Sequence, residues 1–282
     1  MGITQRKIIT PVLICRYENY LREQEKSAAT IEKYVRSLNA ADFQGAELDR
    51  SLLIAWKEQL SARYAVSSVN VILAAVNGLL AFCGWEELKV KPLKKQREIF
   101  CPEDRELTRD EYIRLVQAAK GNGNERLSLV LQTICGTGIR VSELQYITAE
   151  AVRSGRAEVN CKGKRRTVFL PQKLCRLLSK YLKRQHRTTG PVFITKNGKP
   201  LNRSNIWRDM KSLCDSANVE PGKVFPHNLR HLFARTYYAL EKDLSRLADL
   251  LGHTSVNTTR IYTVESGAVH ARQVERMGLV IT

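Results

Sequence analysis

Apolar side chains recur three and four residues apart along most of this chain of 282 residues, a spacing typical of amphipathic helices. The amino-terminal third contains four such segments. Ser27 and either Asp49 or Ser51 are candidate helix caps, and Gly84 is a helix stop. The apolar positions are Leu13, Tyr17, Tyr20 and Leu21; Ile31, Tyr34, Val35 and Leu38; Leu52, Leu53, Trp56 and Leu60; and Val69, Ile72, Leu73, Val76, Leu79 and Leu80. Four amphipathic helices with short joints predict a small helical bundle.

Helical periodicity fails between residues 87 and 105, where lysines, prolines and mixed charges replace the apolar repeat. This composition predicts a linker. Lys94 and Lys95 lie in it, and such cations bind a DNA backbone as counterions are released. The sequence therefore predicts a helical domain over residues 1–86, a basic linker over 87–105 and a second domain over 106–282.

The second domain is predicted to be mainly helical with a small β-sheet. Thr108 and Glu111 form a capping-box pattern, and later helices are predicted over Gln172–Arg187, Arg203–Ala217 and Glu265–Met277. Short apolar-alternating runs on both sides of Lys162-Gly163-Lys164 predict a hairpin, with a third strand expected near Ala151-Val152. The fold class is therefore mainly α with a small sheet, a helical domain followed by a mixed α+β domain.

The bulk composition restricts the class of partner and the compartment. A formal net charge of +18 favours a polyanion such as nucleic acid, although a solvated basic surface would carry the same charge. Seven scattered cysteines without a Cys-x-x-Cys pair argue against a disulfide framework or zinc finger and favour the reducing cytoplasm. No apolar run approaches the ~20 residues of a membrane helix, and no signal peptide is apparent.

Side chains that are suited to reactions at a phosphodiester are concentrated between Pro226 and Tyr262. His227, Arg230 and His231 share one turn of a predicted helix, and His253 follows a Leu-Leu-Gly helix stop. Arginine binds phosphate oxygens, histidine moves protons near neutral pH, and tyrosine can be a covalent nucleophile. Any one of these side chains alone is more often a cap or a packing group. Their conjunction favours a catalytic site.

A second arginine motif lies upstream, at the end of a strongly apolar predicted helix. Gly136-Thr137-Gly138 lacks the Gly-Lys-Ser/Thr ending of a nucleotide-binding loop, so a nucleotide site is rejected. The glycines instead predict a turn that projects Arg140 from a fresh helix start, where backbone N–H groups favour an anion. Glu143, one turn on, can orient Arg140 by a charge-assisted hydrogen bond.

These motifs resemble the tyrosine recombinase (phage integrase) family. Its signature is His-x-x-Arg-His, then Leu-Gly-His, then a nucleophilic tyrosine about nine residues later, and the phrase Gly-Thr-Gly-Ile-Arg-Val-Ser-Glu-Leu matches its first arginine motif. The Ser-x-x-Thr-Ile-x-x-Tyr phrase at Ser27–Tyr34 resembles the family's core-binding domain. The chain looks like a minimal, Xer-type recombinase of two domains.

The resemblance implies a role for each matching residue. Tyr262 would form a 3′-phosphotyrosyl link, Arg140 and Arg230 would bind the scissile phosphate, and Lys162, with Lys164 as the alternative, would protonate the leaving 5′ oxygen. His227 and His253 would hydrogen-bond the phosphate, with His231 and Glu143 in support. Neither a metal nor another cofactor is expected. The candidate DNA contacts are Arg36, Lys94, Lys95, Lys164, Arg165, Arg166 and Arg203.

The same resemblance implies double-stranded DNA with a specific recombination site as the partner, and a tetramer acting through a Holliday junction. An accessory directionality factor is a further candidate partner, and a membrane is not. The apolar carboxyl-terminal tail would dock on its own domain or on a neighbouring subunit. Two alternatives stay open, a type IB topoisomerase and a non-catalytic DNA-binding protein. The role stays open among chromosome dimer resolution, mobile-element integration or excision, and inversion.

Overall fold

The computed structural model describes residues 6–41, 43, 45–94, 105–161, 164–195, 197–253, 255–262 and 274–279. The chain divides into two compact units, Met1–Arg97 and Glu98–Thr282. Within the described ranges, no helix combines the length and apolarity that crossing a bilayer requires.

The first unit is a bundle of four helices. Thr10, Ser27 and Asp49 accept hydrogen bonds from backbone N–H groups in the first turns of the first three helices, as amino-terminal caps do. The last helix is the most apolar, and most of the residues predicted to face inward are buried along it. The helices are α1 (Pro11–Glu23), α2 (Ala28–Asn39), α3 (Arg50–Arg63) and α4 (Val66–Phe82).

The chain after α4 packs on this bundle for several residues into the predicted linker. Leu88 and Val90 are buried in the bundle core. The side-chain amide of Asn77 donates to the Val90 carbonyl at 2.8 Å and accepts from the Val90 N–H at 3.1 Å. Asn70 holds Leu93 in the same paired way. The first part of the segment predicted as a linker therefore belongs to the amino-terminal unit.

The second unit is helical around one hairpin, which confirms the predicted fold class. The central helix α6 is apolar on nearly all sides, and it packs against α5, α8, α9 and α11. The elements are α5 (Arg109–Gly121), α6 (Glu125–Thr137), a 3-10 helix (Val141–Tyr146), α7 (Ala149–Ser154), β1 (Arg156–Cys161), β2 (Lys164–Phe169), α8 (Gln172–Arg184), α9 (Arg203–Lys211), α10 (Cys214–Ala217), a 3-10 helix (Pro221–Lys223), α11 (Pro226–Glu241), α12 (Leu244–Leu251), α13 (Val256–Thr259) and a 3-10 helix (Arg260–Tyr262).

The hairpin is antiparallel, with Ala157 opposite Val168 and Val159 opposite Arg166. Side chains on a strand alternate between its two faces, so Arg166 and the buried Val168 share a face. The turn that joins β1 to β2 lies outside the described residues.

Two predicted elements differ from the structure. Ala151-Val152, predicted as a strand, lies in α7, because the Thr148 hydroxyl caps the first turn and Gly155 ends the helix in a left-handed conformation. The single helix predicted over Arg203–Ala217 is two helices. The Ser212 hydroxyl at the break donates to the Asp209 carbonyl, a local bond that competes with helix continuation. The predicted helix Glu265–Met277 falls mostly outside the described residues.

Candidate active site

The first turn of α11 brings two histidines and an arginine to one place. Pro226 occupies the first helical turn, where its fixed φ suits a helix and its missing N–H costs nothing. The rings of His227 and His231 meet edge to face, with centroids 4.5 Å apart. Arg230 points inward from the same turn and is 2% exposed.

The buried guanidinium of Arg230 is held by hydrogen bonds from two other elements. It donates to the Gly138 carbonyl, to the Leu251 carbonyl at 2.7 Å and to His253 Nε2 at 3.0 Å. Burial, and after it the positive charge of Arg140, lowers the pKa of Arg230 to about 10, so the group stays charged at neutral pH. A buried guanidinium loses its hydration, and these hydrogen bonds compensate for that loss.

Gly138 makes this contact possible by ending α6 in a left-handed conformation with φ of +65°. A Cβ at this position would lie 2.5 Å from a ring carbon of Phe233, which is closer than real Cβ contacts. Glycine is therefore required twice, for its backbone angle and for the close approach of α11.

Arg140 lies two residues beyond this turn and is fixed by Glu143. The Arg140 guanidinium donates to Glu143 Oε1 at 2.9 Å, and the Arg140 backbone N–H donates to Oε2 at 3.0 Å. Burial alone would raise the pKa of Glu143, but these bonds and the charge of Arg166 hold it below its usual value. The Arg140 side chain remains 37% exposed, so it can meet a bound anion.

His253 follows α12, which ends at Gly252 in a left-handed conformation. Its Nδ1 lies 2.8 Å from the Thr259 hydroxyl, and its Nε2 lies 3.0 Å from Arg230. A guanidinium can only donate, so Nε2 accepts and Nδ1 carries the proton that is donated to Thr259. Burial, followed by the charges of Arg230 and Arg140, lowers the pKa of His253 to about 4, which keeps the ring neutral.

Tyr262 ends the last 3-10 helix, and its ring lies among the three imidazoles. It stacks on His253 at 5.8 Å between centroids and meets the edge of His231 at 4.5 Å. Its phenol is close enough to the Arg230 guanidinium to raise the pKa of that group. The ring is 3% exposed and packs with Leu247 and Leu251 in a small apolar cluster of α11 and α12.

The other two histidines are also disfavoured as cations. Burial, then the charges of His227 and Arg230, lowers the pKa of His231 to about 4. His227 is exposed at the rim, yet its ring packs on His231, so lost hydration and the charges of Arg230, Arg140 and Arg203 lower its pKa. Both rings are therefore neutral at pH 7 and can act as hydrogen-bond donors and acceptors.

A cleft of about 430 Å³ opens beside these residues. No carboxylate is among the described side chains that line it, so it presents positive charge and favours an anion. Its lining residues are Ile139, Arg140, Val141, Ser142, Arg203, Trp207, Phe225, Pro226, His227 and Arg230. Tyr262 is not among them. Across the described ranges, no three His, Cys, Asp or Glu side chains are grouped so as to hold a metal ion.

Trp207 is the lining residue that sequence reasoning missed. It lies one turn after Arg203 on α9 and is 49% exposed, with Lys211 above its ring. A tryptophan on the polar face of a basic helix is the signal that could have identified it, because half-exposed aromatic rings often serve binding surfaces.

The predicted DNA contacts have different positions. Arg165, Arg203 and Lys94 are exposed, and Arg36 is exposed beside Glu32, to which it donates. Arg166, also predicted to contact DNA, turns inward and is 12% exposed, with its guanidinium bound to Glu143 and to the Leu250 carbonyl. This corrects the prediction, because both ends of its fork are already occupied by protein groups. Lys95 and Lys162 lie outside the described residues, as does the side chain of Lys164.

The sequence model of the protein family described as the phage integrase family matches residues 105–267, more than half of the chain. The chain belongs to the phage integrase family. Tyrosine recombinase XerA of Pyrococcus furiosus is 28% identical over 285 residues, covering 98% of this chain and 97% of that protein. Tyrosine recombinase XerD of Xanthomonas campestris pv. campestris is 30% identical over 295 residues, covering 90% of this chain and 88% of that protein.

A solved structure of the phage integrase type has a similar fold. The crystal structure of a lambda integrase tetramer bound to a Holliday junction has a TM-score of 0.72 and 18% identity, covering 89% of this chain and 76% of that chain. The family match and the two tyrosine recombinases, which align over nearly the whole length of this chain, identify it as a tyrosine-type site-specific recombinase. This confirms the predicted class of enzyme.

Proposed function

We propose that this protein cuts and rejoins DNA at a specific site, with Tyr262 as the nucleophile and Arg140, Arg230, His227 and His253 around the scissile phosphate. The observation that carries the proposal is the position of the Tyr262 phenol, which adjoins Arg230 and stacks on His253 within one chain. A buried phenol among neutral imidazoles and guanidiniums has the parts of a phosphoryl-transfer site.

In the reaction, the phenol oxygen of Tyr262 bonds to phosphorus and the bond from phosphorus to the 5′ oxygen breaks. Arg140 and Arg230 neutralise the charge that grows on the non-bridging oxygens, which is usually the largest electrostatic contribution. The bond energy is retained in the 3′-phosphotyrosyl link. Attack by a 5′ hydroxyl of the partner strand then releases the tyrosine, so neither a nucleotide nor a metal is consumed.

Two protons must move in the cleavage step. The phenol proton passes to an imidazole, and His227 is suited to this because it is exposed to the cleft and has no hydrogen bond to any described residue. His253 has both nitrogens engaged and instead orients Arg230, which binds the phosphate. The proton for the leaving 5′ oxygen comes from Lys162, on the turn between β1 and β2, as general acid.

The partner that fits these features is duplex DNA, and the catalytic form we propose is a tetramer on two sites. The net charge of +18 supports a polyanion. Lambda integrase, which shares this fold, was crystallised as a tetramer on a Holliday junction. The amino-terminal unit would bind DNA as a core-binding domain, with Arg36, Lys94 and Lys95 as candidate contacts. A directionality factor and a cytoplasmic location complete the proposal.

The test is trapping of a covalent adduct. A site is first selected by binding from a random duplex pool and is then nicked near the cleavage position, so that the short fragment diffuses away. Wild-type protein should form a tyrosyl adduct and Tyr262→Phe none, with equal DNA affinity. Tyr237→Phe, in the same apolar cluster, is the matched control and should form the adduct. Adduct formation by Tyr262→Phe would show that the nucleophile is misassigned.

The same reagents separate recombination from simple relaxation. A recombinase should join two selected sites and leave a plasmid without the site supercoiled. Relaxation of plasmids with no site requirement would instead favour a topoisomerase-like activity.

A further inference from the structure

The backbone carbonyl groups of residues 250–252, at the end of α12, each accept a hydrogen bond from a different arginine. The Leu250 carbonyl accepts from Arg166 at 2.7 Å, and the Gly252 carbonyl lies 3.4 Å from Arg140. The Leu251 carbonyl between them accepts from Arg230. Such carbonyls have no partner inside their helix and carry partial negative charge, so cations are favoured there. His253 is the next residue, so these hydrogen bonds fix the position of the backbone that carries its side chain.

Arg166 differs from the other two arginines because it does not face the cleft. Its side chain is 12% exposed, and it is not among the cleft-lining residues. It comes from β2, and no other described side chain of that strand joins the hydrogen bonds at this site. Its second nitrogen donates to Glu143 Oε2 at 2.6 Å.

Glu143 is thereby shared between two arginines. Arg140 uses Oε1 and Arg166 uses Oε2, and the carboxylate is 2% exposed. A buried carboxylate that loses one of two cationic partners keeps only part of the compensation of its charge. Without Arg166, the carboxylate would be drawn towards Arg140 alone, and the guanidinium that meets phosphate would lose its fixed orientation.

The aliphatic part of Arg166 also contacts the turn before His253. Gly252 adopts φ of +65°, and a Cβ there would lie 2.4 Å from Arg166 Cδ. The absence of a side chain at residue 252 is what lets the arginine cross this turn. One side chain therefore contacts the carboxylate that orients Arg140 and the backbone that carries His253.

We propose that Arg166 is a positioning residue for the recombination reaction, tying strand β2 to Arg140 through Glu143 and to His253 through the end of α12. The inference rests on the proposed function of Arg140 as a phosphate ligand. Arg166 itself touches no substrate. Lysine cannot replace it, because an ammonium is a point charge whereas the guanidinium fork reaches two acceptors on different elements.

The first test compares Arg166→Met and Arg166→Lys with Arg156→Met, an exposed arginine on the neighbouring strand β1. On the nicked duplex, Arg166→Met should slow adduct formation about 10- to 100-fold, the scale for losing a group that orients an active-site ligand. Its DNA affinity should stay near that of wild type. Arg166→Lys should recover only part of the rate. Arg156→Met should leave the single-turnover rate of bound protein unchanged.

The second test separates positioning from general loss of structure. Replacing one non-bridging oxygen of the scissile phosphate by methyl gives a neutral methylphosphonate, which removes the charge that Arg140 neutralises. This substrate should rescue Arg140→Ala and Arg166→Met alike, and unfolded protein would not be rescued. The rate losses of these two changes should also be far from additive in free energy when combined, because one acts through the other.

Three results would overturn the inference: a wild-type adduct rate for Arg166→Met, additive losses in the double variant, or rescue of Arg140→Ala without rescue of Arg166→Met. Failure of the proposed function looks different. In that case Tyr262→Phe would still form the adduct, or Arg140→Ala would cleave at the wild-type rate.

Discussion

Replacing Gly138 by alanine tests whether the end of α6 fixes the active site. Two costs follow from the structure. The left-handed backbone costs a non-glycine residue about 1–2 kcal/mol. The new Cβ would lie 2.5 Å from the Phe233 ring, and overpacking of this kind costs about 1–3 kcal/mol more. We therefore expect Gly138→Ala to lower the free energy of unfolding by about 2–5 kcal/mol.

Gly155→Ala is the matched control for the backbone cost. Gly155 also ends a helix in a left-handed conformation, with φ of +72°, but a Cβ there would meet nothing within 4 Å. It should cost only about 1–2 kcal/mol. Urea unfolding followed by circular dichroism compares the two variants. Phe233→Ala should remove the extra cost of Gly138→Ala in a double-mutant cycle.

The two glycine variants should also differ in catalysis. The Gly138 carbonyl accepts from Arg230, so moving it displaces the guanidinium that we propose binds phosphate, whereas Gly155 is not part of the site. Adduct formation should therefore fall in Gly138→Ala and be preserved in Gly155→Ala. Equal destabilisation by the two changes, or no effect of Phe233→Ala, would refute the reasoning.

Three further predictions follow from the site. First, the low pKa of His231 and His253 predicts loss of stability on acidification: unfolded imidazoles bind protons near pH 6.5 and these two only near 4, so their contribution is full above about 6.5 and is lost as pH falls towards 4. Urea midpoints should fall between pH 7 and 5, less steeply in His231→Gln, and a flat profile in wild type would contradict the assignment. Second, Trp207 emission should change when duplex DNA fills the cleft, and Trp207→Phe should abolish that change, with persistence of the full change counting against this residue. Third, the logarithm of DNA affinity should fall steeply with the logarithm of salt concentration, and Arg165→Met should reduce the slope by about 1 if this cation binds one phosphate.

The sequence predicts those parts of the site that depend on local spacing. One helical turn places His227, Arg230 and His231 together, and the structure has their rings and guanidinium on the first turn of α11. The capping box at Thr108 also forms as predicted, because it involves residues only three apart. Local hydrogen bonds and helix geometry are sufficient for both.

The sequence analysis named Arg166 as a candidate DNA contact, although a signal for an inward position was present. Arg166 is two residues before the apolar Val168 on a strand, and strand side chains two apart share a face. Its charge suggested an exposed DNA contact, while the alternation pointed inward. The inward position is stable only because Glu143 and the end of α12 supply acceptors, and they come from distant parts of the chain.

Contacts between distant segments could not be predicted. His253 is hydrogen-bonded to Thr259, and Arg230 donates a hydrogen bond to the carbonyl of residue 138. Both bonds depend on how α11, α12 and the turn after α6 pack. The strand expected at Ala151-Val152 failed for a local reason, since Thr148 and Gly155 are a helix start and stop that the apolar pair obscured.

The burial of Tyr262 limits the conditions under which this side chain can reach a DNA strand. A phenol with 3% exposure, absent from the walls of the cleft, cannot reach a phosphodiester that merely drifts into that cleft. For Tyr262 to act as the proposed nucleophile, the 3-10 helix Arg260–Tyr262 must first shift. Nucleic acid that binds the cleft without causing this shift would then remain uncut.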